Sequence, residues 1–375
     1  MEAVHICGLC GGFEALGLAV EIVGPPGVVT DPDVVVSAET GQTGTIWGRI
    51  ARQAPQLLFE CMEVGYNLVA VPRLLKACRS QRPALIYERY SLYNAAGVIA
   101  GWLTRTPVVL EINDTVKTDR TRQGKGLRMP WLAQWFERRI FRRASGAAVV
   151  SEYLRDQVAQ AGIPRERILV TPNAVDPRRF DPAAVDREAA RRRLGLDGKL
   201  VVGFAGSFAK WHRVDLLVQA CSRLVDEFPD LRLLLVGDGA MRGATEEQIA
   251  AAGMTDRVVF TGKIPHAAVA EHMAAMDVGV MPASNVFGSP VKIYEYMAMG
   301  AVPVGPRYGP VEEAIAEGED GLIFQPDDLE SLVEALRQLL ADESGRRGMA
   351  EAGRRKVFSQ HLWQHNAGKV LELEG

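Results

Sequence analysis

Cysteine is scarce in this 375-residue sequence: Cys7, Cys10, Cys61, Cys78 and Cys221 are odd in number and scattered. That excludes a disulfide framework and suits reduced thiols in a cytoplasmic chain. Cys7 and Cys10 form a lone C-x-x-C, with no second pair or nearby histidine couple to complete a zinc site. Their spacing also suits one face of a helix, so packing is their expected role. Charge of neither sign dominates, with 43 basic and 46 acidic residues and a net charge of -3. A bulk electrostatic attraction to nucleic acid or acidic membranes is therefore not expected, and any such attraction has to be local. No stretch approaches the roughly 18 apolar residues of a membrane span, and the N-terminus has no basic region followed by an apolar run.

What is present is the balance of a folded protein, 47% hydrophobic and 24% charged, in a chain long enough for two domains. From residue 199 strands and helices alternate. "KLVVGFAG" reads as a buried strand, Val214, Leu217, Val218, Cys221, Leu224 and Val225 recur at helical spacing, and "LRLLLVGDG" is the next strand. "RVVFTG", a helix near 266–275, "DVGVMP", "AVPVG", "GLIFQP" and a helix over 329–340 continue the pattern. Strand, helix and strand within about 40 residues make a βαβ unit with parallel strands, so this half is an α/β sheet covered by helices.

The first half repeats the architecture less tidily. "LAVEIVG", "ALIYER", "PVVLEIN", "GAAVVS" and "RILVTPN" are strand candidates, and a long helix over 56–79 is interrupted by Pro72. "VHICGLCGGFEALG" reads as a helix, because too few residues follow it to cross over to a parallel strand. The expected division is an N-terminal Rossmann-like domain over 1–172, a linker over 173–182, a C-terminal Rossmann-like domain over 183–355, and a helix over 356–375 returning towards the first domain. Open parallel sheets bind ligands where strands lead into helices.

Two such places carry charge. In "SPVKIYEYMAMGAVPVG" Ser289 suits an N-cap, Pro290 the first turn and Gly300 the stop, giving a helix of about ten residues. Lys292 then falls at the positive end of the helix dipole, where an anion such as a phosphate compensates. Glu295 lies one turn on, on the same face, and could accept hydrogen bonds from neighbouring sugar hydroxyls. The plainer alternative is a Lys–Glu pair on a solvated helix face. In "GSFAKWHR" Gly206 permits a tight turn while Lys210, His212 and Arg213 gather positive charge at a strand end. Together the two segments suggest a diphosphate held between cations.

With "VTPNAVDPRRF", "GFAGSFAKWHRVDLL", "LLLVGDG", "VVFTGKIPH" and "EDGLIFQPDD", these motifs resemble the retaining nucleotide-sugar glycosyltransferases of family 4, which have the GT-B fold. The resemblance runs from about residue 84 to the C-terminus and is strongest over 168–326. It implies two Rossmann-like domains whose parallel sheets face each other across a cleft, with the first strand of the N-terminal domain missing. It further implies that Glu295 binds the donor ribose, that Ser207, Lys210, His212 and Arg213 hold the diphosphate, and that Gly262, Lys263 and Ile264 meet the nucleobase. The family pairs two glutamates separated by seven residues, and here the first falls on Phe287, leaving the amides of Gly288 and Ser289 beside Pro290 as substitutes.

Asn113 stands where many members carry a histidine, which leaves hydrogen bonding rather than acid or base chemistry. Arg89 and Glu111 are possible acceptor-side residues, or else a structural ion pair. The implied reaction is retaining transfer from a UDP-hexose or UDP-N-acetylhexosamine to a hydroxyl, without metal or other cofactor, with Lys210, Lys292 and Asn113 as catalytic candidates. A non-catalytic nucleotide-sugar-binding or partner subunit and a GT-B sugar-nucleotide epimerase are the alternatives. Residues 120–144, basic and rich in tryptophan, suit either a core helix with solvated arginines or a peripheral contact with the inner face of the membrane. Nucleic acid is not an expected partner.

Overall fold

A computed structural model describes residues 2–24, 56–116 and 127–373. The chain forms two compact units, one of residues 1–172 with 364–375 and the other of residues 173–363. In the first unit α1 (Glu2–Ala15), α2 (Gln56–Gln81), β1 (Ile86–Arg89), α3 (Ala96–Thr104), β2 (Val108–Ile112), α4 (Pro130–Phe141), β3 (Gly146–Val149), α5 (Glu152–Ala161) and β4 (Ile168–Val170) follow one another. The four strands pair in chain order and all in parallel. Right-handed crossovers between successive neighbours place α3, α4 and α5 on the same face of the sheet. α2 lies beside α3. Asn67 Oδ1 accepts from the Ala95 amide at 2.8 Å, Asn94 Oδ1 from Ala96 at 3.1 Å and Glu88 Oε1 from Gly97 at 3.0 Å, so three side chains cap the start of α3.

Two expectations fail in this unit. "LAVEIVG" is not a strand: Leu18–Gly24 pairs with no strand among the described residues, and Leu18, Ile22 and Val23 are exposed. β-propensity expresses itself through paired neighbours, and among the described residues this segment has no strand beside it. Pro72 does not interrupt α2, which runs through it. Pro72 and Leu68 are both exposed, so the carbonyl that loses its amide partner is on the water side of the helix. The "VHICGLCGGFEALG" segment does form a helix, whose Phe13 packs edge-on to Tyr87 at 5.9 Å.

The second unit comprises α6 (Arg187–Arg193), β5 (Leu200–Ala205), α7 (Val214–Leu224), β6 (Leu231–Val236), α8 (Arg242–Ala251), β7 (Val258–Gly262), α9 (Val269–Ala274), β8 (Val278–Val280), α10 (Val291–Ala298), β9 (Val302–Pro306), α11 (Gly309–Ala314), β10 (Leu322–Phe324), α12 (Leu329–Ala341) and α13 (Glu343–Gln360). α14 (Trp363–Glu372) follows after a break at His361 and Leu362. The tail thus holds two helices where one was expected. Among the described residues the strands are ordered β10-β9-β8-β5-β6-β7, all parallel. From β5 the chain proceeds through β6 to β7 and then returns to the other side of β5 as β8. The crevice at the carboxyl ends of β5 and β8 is therefore the topological switch point of the sheet.

Two glycines let helices press against that sheet. Gly203 and Gly279 are paired across β5 and β8. A Cβ on Gly279 would lie 2.3 Å from the Tyr296 ring, and one on Gly203 2.3 Å from Met276 Sδ. Tyr296 is fully buried and its hydroxyl accepts from the Ala205 amide at 2.9 Å, so this one side chain fixes α10 to the end of β5. Gly279→Ala is expected to destabilise the protein by roughly 1–3 kcal/mol through overpacking. Urea unfolding measures it, and an unchanged or raised midpoint would show that α10 is not held in this way.

Candidate functional site

The loops at the switch point are built from backbone contacts. The Gly206 amide donates to the Val236 carbonyl at 2.9 Å and the Phe208 amide to that of Asp238 at 2.9 Å. Gly237 donates to the Gly262 carbonyl at 3.1 Å. A Cβ on Gly237, whose φ is +126°, would sit 2.0 Å from the Gly206 oxygen, so only glycine allows the loops after β5 and β6 to meet. Phe208 is fully buried and anchors the loop, while Ser207 and Lys210 are exposed. His212 is half-buried.

α10 begins one residue beyond Pro290 and spans eight residues rather than ten. Ser289 is not its N-cap. Its hydroxyl accepts from the Asn173 amide at 2.9 Å and its carbonyl from Asn173 Nδ2 at 2.8 Å, tying the segment after β4 to the start of the helix. At the other end Gly300, with φ +79°, closes the helix as expected.

Lys292, in the first turn, lies against the loop after β5. Its Nζ is 3.4 Å from His212 Nδ1 and 5.1 Å from the Phe204 ring centre, and a Cβ on Gly206 would come within 2.9 Å of it. Burial holds the Lys292 ammonium down at about 8, with Glu295 acting against the shift. Burial likewise pushes the Glu295 carboxyl up to about 7, against the pull of Lys292. His212 is lowered to about 4, first by burial and then by Lys292. His212 is therefore neutral at pH 7. With Nδ1 accepting from the ammonium, its other ring nitrogen carries the proton and is a donor.

The sign of each linkage follows. Glu295 keeps its proton in the folded state between 4.5 and about 7, so stability falls as pH rises across that interval. Lys292 is deprotonated early, so its charge costs stability below about 8 and the cost is relieved between about 8 and 10.5. Between pH 7 and 8 both groups are charged and only partly solvated, an arrangement that a bound anion bearing hydroxyls would satisfy.

The remaining candidates divide. Arg213 does not turn its charge to the site: its guanidinium is taken by Asp215 and Asp327. Gly288 does not offer a free amide either, because Asn285 Oδ1 accepts from Gly288 at 2.6 Å and from Phe287 at 3.0 Å. Lys263 is exposed and Ile264 half-buried just beyond Gly262, whose φ is +67°. Arg242 lies over the Phe260 ring at 4.2 Å in the same strand end.

In the first unit Arg89, Glu111 and Asn113 form a separate cluster. Arg89 Nη1 lies 3.2 Å and Asn113 Nδ2 2.6 Å from Glu111 Oε1. Glu111 is buried, so it is the acceptor of an ion pair rather than a solvated base. Asn113 must present its amide nitrogen to that carboxylate, which leaves its Oδ1 buried without a partner among the described residues.

Asn173, Asn285 and the 237–239 glycine loop are structural parts of the site that sequence reasoning left unassigned. Asn285 was detectable, since Asn three residues before a glycine is a common turn signal. Asn173 was not, because its partner is 116 residues away.

The chain is similar to known proteins over both units. Residues 3–174 match the glycosyl transferase 4-like domain model and residues 186–356 match that of glycosyl transferases group 1. The chain is 32% identical over 240 residues to 2-deoxystreptamine glucosyltransferase of Streptomyces kanamyceticus, covering 63% of this chain and 61% of that protein. It is 29% identical over 242 residues to a GDP-mannose-dependent alpha-(1-6)-phosphatidylinositol monomannoside mannosyltransferase of Mycolicibacterium smegmatis, covering 63% of each. The chain thus spans about three fifths of the length of these curated relatives. Among solved structures, Anabaena HepE in complex with UDP superposes with a TM-score of 0.67 over 80% of this chain and 81% of that one, at 21% identity. The fold is that of the GT-B glycosyltransferases, and the chain carries a glycosyl transferase 4-like domain followed by a glycosyl transferases group 1 domain.

If Lys292 and Glu295 are the ligand-facing charges, affinity for UDP is expected to be greatest between about pH 7 and 8. It should fall below as Glu295 gains a proton and above as Lys292 loses one. Titration calorimetry with UDP across this range is the check, and a flat profile would exclude the pair from the binding site.

Proposed function

We propose that this pair of glycosyltransferase domains moves a hexose-type sugar, with retention of configuration, from a nucleotide donor to a hydroxyl group. The donor is assigned as a UDP-hexose or UDP-N-acetylhexosamine, and the acceptor to polysaccharide, glycolipid or natural-product biosynthesis. The observation that carries the reading is the meeting of Lys292, His212 and the Gly206 loop at the switch point, with Glu295 one turn further along α10.

In this reading the diphosphate lies against the Lys292 ammonium and the His212 N–H, with exposed Lys210 closing on it from the loop. As the bond between the sugar carbon and the leaving oxygen stretches, negative charge grows on that oxygen and the preorganised donors stabilise it. The leaving phosphate takes the proton of the acceptor hydroxyl as the new glycosidic bond forms, so neither a protein nucleophile nor a metal is assigned. Glu295 accepts from the ribose hydroxyls. For Asn113, whose Nδ2 is held by Glu111, the proposed role is hydrogen bonding through Oδ1.

Lys292→Ala is expected to lower kcat/KM by roughly a hundredfold or more, the usual cost of one preorganised charge-stabilising donor. Thermal-shift screening with UDP, GDP and ADP sugars, followed by donor hydrolysis and transfer assays, tests both donor and reaction. Unchanged turnover in the variant would remove Lys292 from the mechanism. One observation favours a second reading: Phe287 replaces a carboxylate and Asn285 occupies the Gly288 amide. Stabilisation by a nucleotide sugar, with neither hydrolysis nor transfer over a broad acceptor panel, would make the chain a binding subunit.

A further inference from the structure

The helical layer of the first unit carries a surface that the catalytic reading does not use. Residues 120–126 of the basic segment lie outside the described residues, but α4 and its neighbours are clear. Ala133, Ile140 and Phe141 of α4 are buried under the layer. Trp131 and Trp135 are 70% and 50% exposed, so the two largest apolar side chains of this helix face away from the core it covers. Trp102, at the end of α3, is 75% exposed, and Leu68 of α2 82% exposed.

These helices share one layer. Asn67 of α2 joins the backbone on either side of Asn94, just before α3, and the Cys78 thiol bonds Thr104 at the other end, so α2 and α3 run side by side. Glu60 of α2 accepts from the Tyr93 hydroxyl at 3.1 Å and the Arg128 amide at 2.8 Å, while the Tyr93 ring meets Phe136 of α4 at 5.5 Å.

Charge is sorted over the part of this layer from α2 to α4, whereas α5 on the same face carries the exposed Asp156. Among the described residues from 56 to 143, every fully exposed charged side chain is Lys or Arg, and each acidic one is buried or half-buried. In a chain whose net charge is -3, such segregation is not a compositional accident. Lys76 and Arg79 flank an open hollow of about 530 Å³ on α2, whose floor includes Pro72 and Leu75. Arg138 and Arg139 occupy the last turn of α4, with the Arg139 guanidinium 5.1 Å from the Trp135 ring centre.

We infer that this layer, from α2 through α4, is a docking face for an anionic lipid bilayer. Tryptophan rings suit the boundary between headgroups and acyl chains, and arginine and lysine reach the headgroup phosphates from apolar stems. Between α2 and α4 the described residues expose cations and no carboxylate, a surface complementary to anionic lipid, which attracts each such side chain. An acidic protein partner would match the charge but would not account for three separated tryptophans standing free at the surface. The proposal is independent of nucleotide binding by the second unit.

The test is flotation of the full chain, without nucleotide, on phosphatidylcholine vesicles with and without roughly one third phosphatidylglycerol. Binding is expected only to the anionic vesicles, weakening as salt is raised. R138E/R139E and W131A/W135A should each reduce the bound fraction by roughly tenfold or more at limiting lipid. These residues are exposed, so circular dichroism and the UDP-induced thermal shift should be unchanged in the variants. No flotation of the wild type, or equal flotation of the charge-reversed variant, would overturn the proposal. So would a dimer in light scattering that R138E/R139E splits, since the face would then join copies of the chain.

Discussion

Everything at the switch point depends on how closely α10 approaches the sheet, and that approach exists because a strand and the loop after its neighbour give up side chains. Gly279 admits the Tyr296 ring and Gly206 admits the Lys292 side chain, both from the same helix. Helix–sheet contacts through ordinary side chains would hold α10 further out, and Lys292 would then sit on a solvated surface with its usual pKa. At close range the lysine is pressed between the Phe204 ring, the His212 imidazole and the backbone at Gly206. The packing that fixes the position of the helix is thus also what desolvates its charge.

Desolvation without full pairing leaves stored electrostatic cost in the empty protein. The Lys292 and Glu295 pKa values converge to about 8 and about 7, from ordinary values of 10.5 and 4.5, because the surroundings favour neither charge. On the proposed reading, a ligand supplying a phosphate to one and hydroxyls to the other would gain what the protein forgoes, so that a half-buried pair would favour binding over stability. Arg213 behaves differently. Asp215 and Asp327 satisfy it, so it has little to gain from a phosphate and serves the loop instead.

The strands of the second unit could be read because each is a short apolar run closed by glycine or proline, as in "KLVVGFAG" and "DVGVMP", and burial on both faces requires such runs. "LAVEIVG" uses the same alphabet and is no strand, since pairing is a property of two segments and only one is visible in a local pattern. Capping failed for a related reason. Ser289 satisfies the local rule for a helix start, yet its hydroxyl is claimed by Asn173 from a distant part of the chain. The charged residues of the site were legible because a lysine in the first turn of a helix is locally unfavourable and invites an explanation. Their pKa values were not, because these depend on Phe204 of β5 and Gly206 of the loop after it.

The two units use cations in opposite physical regimes, and the residue types follow. Within the sheet crevice the cation is a lysine, whose slender ammonium fits beside a glycine and whose pKa yields under burial; a guanidinium would need more room and would keep its proton. On the helical layer the exposed cations of α4 are arginines, planar groups able to lie on a tryptophan ring as Arg139 does, and permanently charged at the surface. On the proposed reading one arrangement is an anion site that responds to pH near neutrality. The other is a broad positive face that does not, so on the two proposals the grip on a diphosphate would change with pH while the attraction to anionic lipid would stay constant.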